Sequence, residues 1–205
     1  MKNQDIEPIE QLKTALYDTN QDTSARALGK LIKLGKQATP ILIEALKADN
    51  PRTRRLAAEG LRDIGDPASA DALFEAVHDS EGKVRARAAT ALHKLGDKRA
   101  LEALVATLDD YPDELHNPYT ASMYPLMRGG KEVLPLVVPL LEAPDPITRQ
   151  RALLILKAAA AKLPEGQDWN QLWQSLGSYD PAGSQEERSG AARQWQEWVA
   201  KLGRE

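Results

Sequence analysis

Arg54-Arg55-Leu56-Ala57-Ala58-Glu59-Gly60-Leu61-Arg62-Asp63-Ile64-Gly65-Asp66 returns 31 residues later as Arg85-Ala86-Arg87-Ala88-Ala89-Thr90-Ala91-Leu92-His93-Lys94-Leu95-Gly96-Asp97. A looser copy precedes it at Ser24-Ala25-Arg26-Ala27-Leu28-Gly29-Lys30-Leu31-Ile32-Lys33-Leu34-Gly35. Further on, Pro146-Ile147-Thr148-Arg149-Gln150-Arg151-Ala152 echoes Pro51-Arg52-Thr53-Arg54-Arg55-Leu56-Ala57. Self-similarity at such a period marks an array in which each repeat is one supersecondary element.

Working outward, each repeat holds two helical patterns. Ile41, Leu42, Ala45 and Leu46 mark a first helix, and Ala57, Ala58, Leu61 and Ile64 a second. The next repeat has Ala72, Leu73, Ala76 and Val77, then Ala88, Ala89, Leu92 and Leu95. Leu101, Leu104, Val105 and Leu108 open a fourth; Leu134, Val137, Val138 and Leu141, then Ala152, Ile155 and Leu156, form a fifth. The spacing i, i+3, i+4, i+7 gives each helix one apolar stripe. Asn50-Pro51, Asp66-Pro67, Asn117-Pro118 and Asp145-Pro146 place a capping oxygen before a proline, a helix start. Gly35, Gly65 and Gly96 follow the last apolar residue, where a left-handed backbone ends a helix. A single pair cannot bury its stripe, so the pairs stack into an all-α solenoid, expected to be a right-handed superhelix.

Composition narrows the function. Of 205 residues, 42% are apolar and 28% charged, which suits a folded domain and excludes a disordered chain. Net charge is −3, so the overall basic excess that phosphate binding needs is missing; the global balance argues against nucleic acid and leaves room for a local basic stripe. The chain has no cysteine, which removes disulfides, thiolate metal sites and cysteine nucleophiles. Residues 1–11 have no apolar signal core, and no run approaches the ~20 apolar residues of a membrane span. The cytoplasm is the expected compartment. No nucleophile elbow, phosphate loop, dinucleotide fingerprint or HExxH occurs, and His78, His93 and His116 stand apart. The expectation is therefore a protein without catalysis or cofactor.

The run Asp79, Val84-Arg85, Ala88, Ala91-Leu92 and Leu95-Gly96-Asp97 resembles a HEAT repeat, in particular the bacterial subtype also found in phycobilisome (bilin) lyases. The resemblance is strongest over 38–66 and 67–97 and extends loosely across 5–163. It implies five HEAT-like helix pairs near 5–36, 37–66, 67–97, 98–130 and 131–163. It further implies that second helices line a concave face where partners bind. Asp79 and Arg85, with Asp49 and Arg54, would be structural, bonding between neighbouring repeats.

The fourth repeat breaks the pattern. Asp109 to Pro125 is long, carries Tyr111, Tyr119 and Tyr124, and places Pro125 inside the second helix, which shortens or bends it. Insertions in such arrays map to loops, frequently on a binding face. Asp109, Asp110, Asp113, Glu114 and His116 lack the alternation and glycine of a calcium loop, so no metal site is assigned. The three tyrosines form either a recognition patch or core filler beside the kink.

Residues 164–205 differ in composition: rich in Gly, Pro, Ser and Gln over 164–185, they contain all four tryptophans, Trp169, Trp173, Trp195 and Trp198. Ser184-Gln185-Glu186-Glu187 reads as a capping box, and Ala191, Trp195, Trp198, Val199 and Leu202 then share one side of a helix. A terminal helical cap on the array is expected, with a tryptophan-lined protein interface as the alternative.

These readings favour a non-catalytic protein–protein interaction scaffold or adaptor, monomeric or weakly oligomeric. Candidate contact residues on the second helices are Arg55, Glu59, Arg62, Asp63, Arg87, Thr90, His93, Lys94 and Lys157, a locally basic set suiting an acidic protein partner. The competing reading is bilin-lyase-like chromophore handling, with a pocket of Tyr119, Tyr124 and His93, and rests on subtype resemblance alone. Nucleic-acid binding comes third.

Overall fold

The computed structural model describes residues 8–112 and 118–203. The Asn117-Pro118 start and Asp113, Glu114 and His116 involve residues outside that set. The described residues fall into two compact units, divided between Ala100 and Leu101. Both are built from α-helices and 3-10 turns, with no strand among the described residues.

In the first unit short and long helices alternate. They are α1 (Ile9–Leu16), α2 (Gln21–Leu34), α3 (Thr39–Ala45), α4 (Pro51–Ile64), α5 (Ala70–Ala76) and α6 (Gly82–Leu95). Each odd helix packs on the even one that follows, while α4 lies against both α2 and α6. The starts follow the predicted chemistry. Asn20 accepts from the Asp22 and Thr23 N–H groups, Asn50 from Arg52 N–H, and Asp66 from Ala68 N–H. Gly65 and Gly96 take the left-handed backbone that stops α4 and α6. Gly35 differs: its ψ of −137° leads directly into a 3-10 turn at Gly35–Ala38.

The predicted stripes form the core. Leu16, Leu31, Leu42, Leu61, Leu73 and Leu92 are fully enclosed, each contributing about 1.5–3 kcal/mol by burial. Ala57, Ala58, Ala88 and Ala89 are also buried on both sides of each second helix, which lets neighbouring helices approach. Gly60 is packed tightly: a Cβ there would stand 2.7 Å from Leu28 Cδ1 and 2.9 Å from Leu42 Cδ1.

Polar side chains lock one repeat to the next. Arg54 donates to both Asp79 carboxylate oxygens, at 2.6 and 2.8 Å, and to the carbonyls of Ala48 and Asp49, both at 2.9 Å. Arg85 makes the same backward reach to the Asp79 and Ser80 carbonyls. Thr39 donates to Asp66, and Arg52 to Ser24 Oγ and the Gln21 carbonyl. Of the residues expected to bond between repeats, Arg54 and Asp79 do so; the bonds of Arg85 to the Asp79 and Ser80 carbonyls, and of the Asp49 carbonyl to Arg54, tie a turn to its own second helix.

The second unit is less regular. Its helices are α7 (Ala100–Ala106), α8 (Met123–Arg128), α9 (Leu134–Val137), α10 (Pro146–Ala160), α11 (Trp169–Ser175) and α12 (Gln185–Leu202). As Pro125 predicts, α8 is a mere six residues. Its start is held by bonds from Thr120 to the Leu108 carbonyl and between Thr107 and Ser122. Leu134, Val137, Val138 and Leu141 are all buried, as their spacing requires. The helix expected there is instead split into 3-10, α and 3-10 pieces over 131–142, because Pro135 and Pro139 each remove a backbone donor.

Arg149 repeats the Arg54 arrangement, donating to the Ala143 and Pro144 carbonyls and across to Pro181. Arg188 reaches back to Gly183 in the same way. Helix α12 starts with the predicted capping box of Ser184 and Glu187. It docks on α9 and the following turn, with Ser189 Oγ bonded to Glu142 at 2.8 Å. Trp195 is fully buried, its ring 5.9 Å from Trp169 and 5.5 Å edge-on from Trp198. Trp173 donates to the Tyr179 carbonyl, and buried Tyr179 donates to Leu141.

Candidate functional site

Stacking α2, α4 and α6 puts their outward side chains on one face of the first unit. The three helices carry eleven Lys and Arg against three acidic residues, Asp22, Glu59 and Asp63. The first helices α1, α3 and α5 have the opposite balance, Lys13 against Glu10, Glu44, Asp71 and Glu75. Positive charge is thus segregated to one helix layer, and the chain's overall −3 conceals it.

Not all of that charge is available. Arg52 and Arg54 are occupied by the inter-repeat bonds above, and Arg85 by the carbonyls of the turn before its own helix. Arg55 lies 3.3 Å from Glu59 one turn on, and Arg62 3.0 Å from Asp63. Lys94 approaches the same Asp63 oxygen at 3.7 Å, across from α6 to α4. The five residues thus form two exposed groups on these helices, the pair Arg55–Glu59 and the trio Arg62–Asp63–Lys94. All five are at least a quarter exposed, so each pair contributes about 1 kcal/mol or less and yields readily to a competing carboxylate. Thr90 spends its hydroxyl on the Arg87 carbonyl, and His93 is exposed in the last turn of α6. Arg87 is half-buried. A shallow cleft of about 280 Å³ adjoins the Arg55–Glu59 pair, where Arg52, Arg55 and Lys83 meet Glu81.

The remaining candidates lie in the second unit. Tyr119 and Tyr124 stack with centroids 6.0 Å apart and planes 16° from parallel, and Tyr124 is 47% exposed. Tyr111 is half-buried in a left-handed backbone, φ 53°. Lys157 sits over the Trp169 ring at 5.3 Å and so belongs to the tryptophan cluster. Asp109 bonds Arg151 at 2.5 Å and Thr148 at 2.8 Å, the inter-repeat role that Asp79 has in the first unit.

One feature escaped the sequence reading, an apolar groove of about 530 Å³ between residues 131–139 and the last turns of α12. Pro135, Val138, Pro139, Val199 and Leu202 line it, together with Lys131 and Glu132. Glu132 accepts from the Gly130 N–H at 2.9 Å; that bond, chiefly, holds its carboxyl below the ordinary range. Pro135 and Pro139, which split the helix over 131–142, both line it.

The HEAT repeat profile matches residues 9–89 and 39–117, more than half of the chain. The chain belongs to the HEAT repeat family. No curated protein matches it. Among solved structures, the complex of CpcE and CpcF of phycocyanin lyase from Nostoc sp. PCC7120 is similar at 22% identity and TM-score 0.53, over 93% of this chain and 76% of that one. A designed armadillo repeat protein in complex with the peptide (KR)4 shares 16% identity, at TM-score 0.45 over 93% and 100% of the two chains. The first likeness places the HEAT chain among all-α repeat folds of the solenoid class. No described helix is long and apolar enough to cross a membrane.

Proposed function

We propose that the protein is a non-catalytic interaction scaffold whose second-helix layer in the first unit takes the acidic surface of a partner protein. The segregation of eleven cations against three carboxylates onto α2, α4 and α6 carries this reading. Such a layer attracts acidic surfaces over a distance of about a Debye length, roughly 8 Å at physiological salt. It raises encounter rates more than it raises intrinsic affinity. Arg55, Arg62 and Lys94 are the contact cations, with Thr90 and His93 beside them. Glu59 and Asp63 hold those cations in place until a partner's carboxylates replace them. In the second unit, residues 164–205 serve as a terminal cap, a role supported by the burial of Trp195 and the docking of α12 on 134–142.

The chromophore reading has less behind it. The phycocyanin lyase likeness reaches the fold alone, and its candidate residues divide between the units, His93 in the first and Tyr119 and Tyr124 in the second.

The test is affinity capture from native lysate with wild type and the Arg55→Glu, Arg62→Glu, Lys94→Glu variant. A defined protein retained by wild type and lost by the variant supports the proposal. An unchanged set of bound proteins removes it.

A further inference from the structure

Arg52 is held by bonds, but its charge is not met. Among the described residues its guanidinium donates to Ser24 Oγ at 2.8 Å and to the Gln21 carbonyl at 3.2 Å, and both acceptors are neutral. Other cations of α4 and α6 stand beside carboxylates. Arg54 has Asp79, Arg55 has Glu59, and Arg62 and Lys94 share Asp63. A guanidinium carries more N–H donors than the two bonds of Arg52 use. Arg52 is half-buried and lines the cleft of about 280 Å³ with Arg55, Lys83 and Glu81. Gln21 completes it from α2, so three successive repeats of the first unit contribute. Setting Glu59 against Arg55 and Glu81 against Lys83 leaves one positive charge over, that of Arg52. The volume lies just below the roughly 300–1,000 Å³ of small-molecule sites, which suits one inserted side chain rather than a whole ligand.

Resting on the scaffold reading above, we infer that Arg52 anchors the acidic partner by taking one of its aspartate or glutamate side chains in this cleft. Two features set Arg52 above Arg55, Arg62 and Lys94. Ser24 and Gln21 already fix its side chain, so little rotamer freedom is lost on binding. No carboxylate of this chain has to be displaced first, as Glu59 and Asp63 must be at the other cations. A hydrogen bond between two charged groups is stronger than one to a neutral acceptor, so the cleft selects Asp or Glu over Asn or Gln.

The probe is oligoglutamate, labelled at its N-terminus and amidated at its C-terminus, titrated into the full chain by fluorescence anisotropy at low salt. Oligoglutamine, and oligoalanine with a free C-terminal carboxylate, carry the same label for comparison. Oligoglutamate is expected to bind more tightly than either, and Arg52→Gln to weaken it about tenfold, the loss of one charge-assisted contact. Arg52→Lys, which keeps the charge, should lose less, and so should Arg55→Gln. Ser24→Ala removes a bond that holds Arg52 but no charge, and should stay within about threefold of wild type. A loss in Ser24→Ala equal to that in Arg52→Gln makes the role of Arg52 structural and overturns the inference. Oligoalanine or oligoglutamine binding as tightly as oligoglutamate also overturns it. If Arg52→Gln binds as wild type does while Arg55→Glu, Arg62→Glu, Lys94→Glu does not, Arg52 is not the anchor and the scaffold reading stands. If neither variant loses binding, both fall.

Discussion

Replacing Arg54 by alanine tests the architecture at the point where two repeats are joined. The side chain makes four bonds, two to Asp79 and two to the carbonyls that end the preceding turn. Arg54 and Asp79 are 13% and 9% exposed, so water cannot take over those bonds in place. A hydrogen bond to a charged group contributes about 1.5–3 kcal/mol. Bonds sharing one side chain are not additive. The expected loss for Arg54→Ala is therefore about 3 kcal/mol, close to the lower bound for breaking a buried pair. Asp79→Ala should cost a similar amount, and with a coupling of about 2 kcal/mol the double variant should cost about 4 kcal/mol, well short of the sum of the two.

The pair also has a pH signature. Burial opposes the charge on Asp79, but the Arg54 bond, the Glu81 N–H and the nearby Arg85 outweigh it, so its carboxyl titrates below the ordinary value. A carboxylate with a depressed folded pKa contributes stability above its unfolded value, about 4, and loses it as pH falls through the folded one. Urea denaturation at pH 7 should show the full gap between wild type and Arg54→Ala. Below pH 4 the gap should shrink. A loss under about 0.5 kcal/mol at pH 7, the size expected of a solvated surface substitution, would refute the reasoning.

Two further substitutions probe the second unit. Gly166→Ala puts a Cβ 1.9 Å from the Ala160 carbonyl oxygen, a backbone clash that no side-chain rotation relieves, so a loss of more than about 1–3 kcal/mol is expected by thermal denaturation. Trp195→Ala should cost about 3–5 kcal/mol through the cavity it leaves. Trp195→Phe should cost distinctly less, because the buried indole N–H has no acceptor among the described residues and its removal breaks no bond.

Much of this fold was legible because its signals repeat. The stripe Leu56, Ala57, Leu61 and the caps Asn50 and Asp66 each specify helix limits locally, and a second copy confirms them. The split of 131–142 was less legible, since the apolar spacing of Leu134, Val137, Val138 and Leu141 suits a continuous helix. Pro135 and Pro139 override it by removing donors. The site was harder still. Sequence spacing placed Arg55, Arg62 and Lys94 on outward faces, but not the cross-helix approach of Lys94 to Asp63. That pairing depends on how α4 and α6 are set side by side. Lys157 faced outward in the sequence pattern, yet its ammonium rests on Trp169, a contact made by a segment that no periodicity connects to α10. The groove arises where the irregular 131–139 segment meets α12, so no local pattern marks it.

The most direct test of the scaffold proposal uses the captured partner itself, titrated at low and physiological salt. Wild type should be compared with Arg55→Glu, Arg62→Glu, Lys94→Glu and with a first-helix control, Glu44→Lys, Glu75→Lys. The account predicts that salt and the second-helix variant each weaken binding at least tenfold while the control binds as wild type does. Equal loss in both variants, or affinity indifferent to salt, would contradict a binding site on α4 and α6.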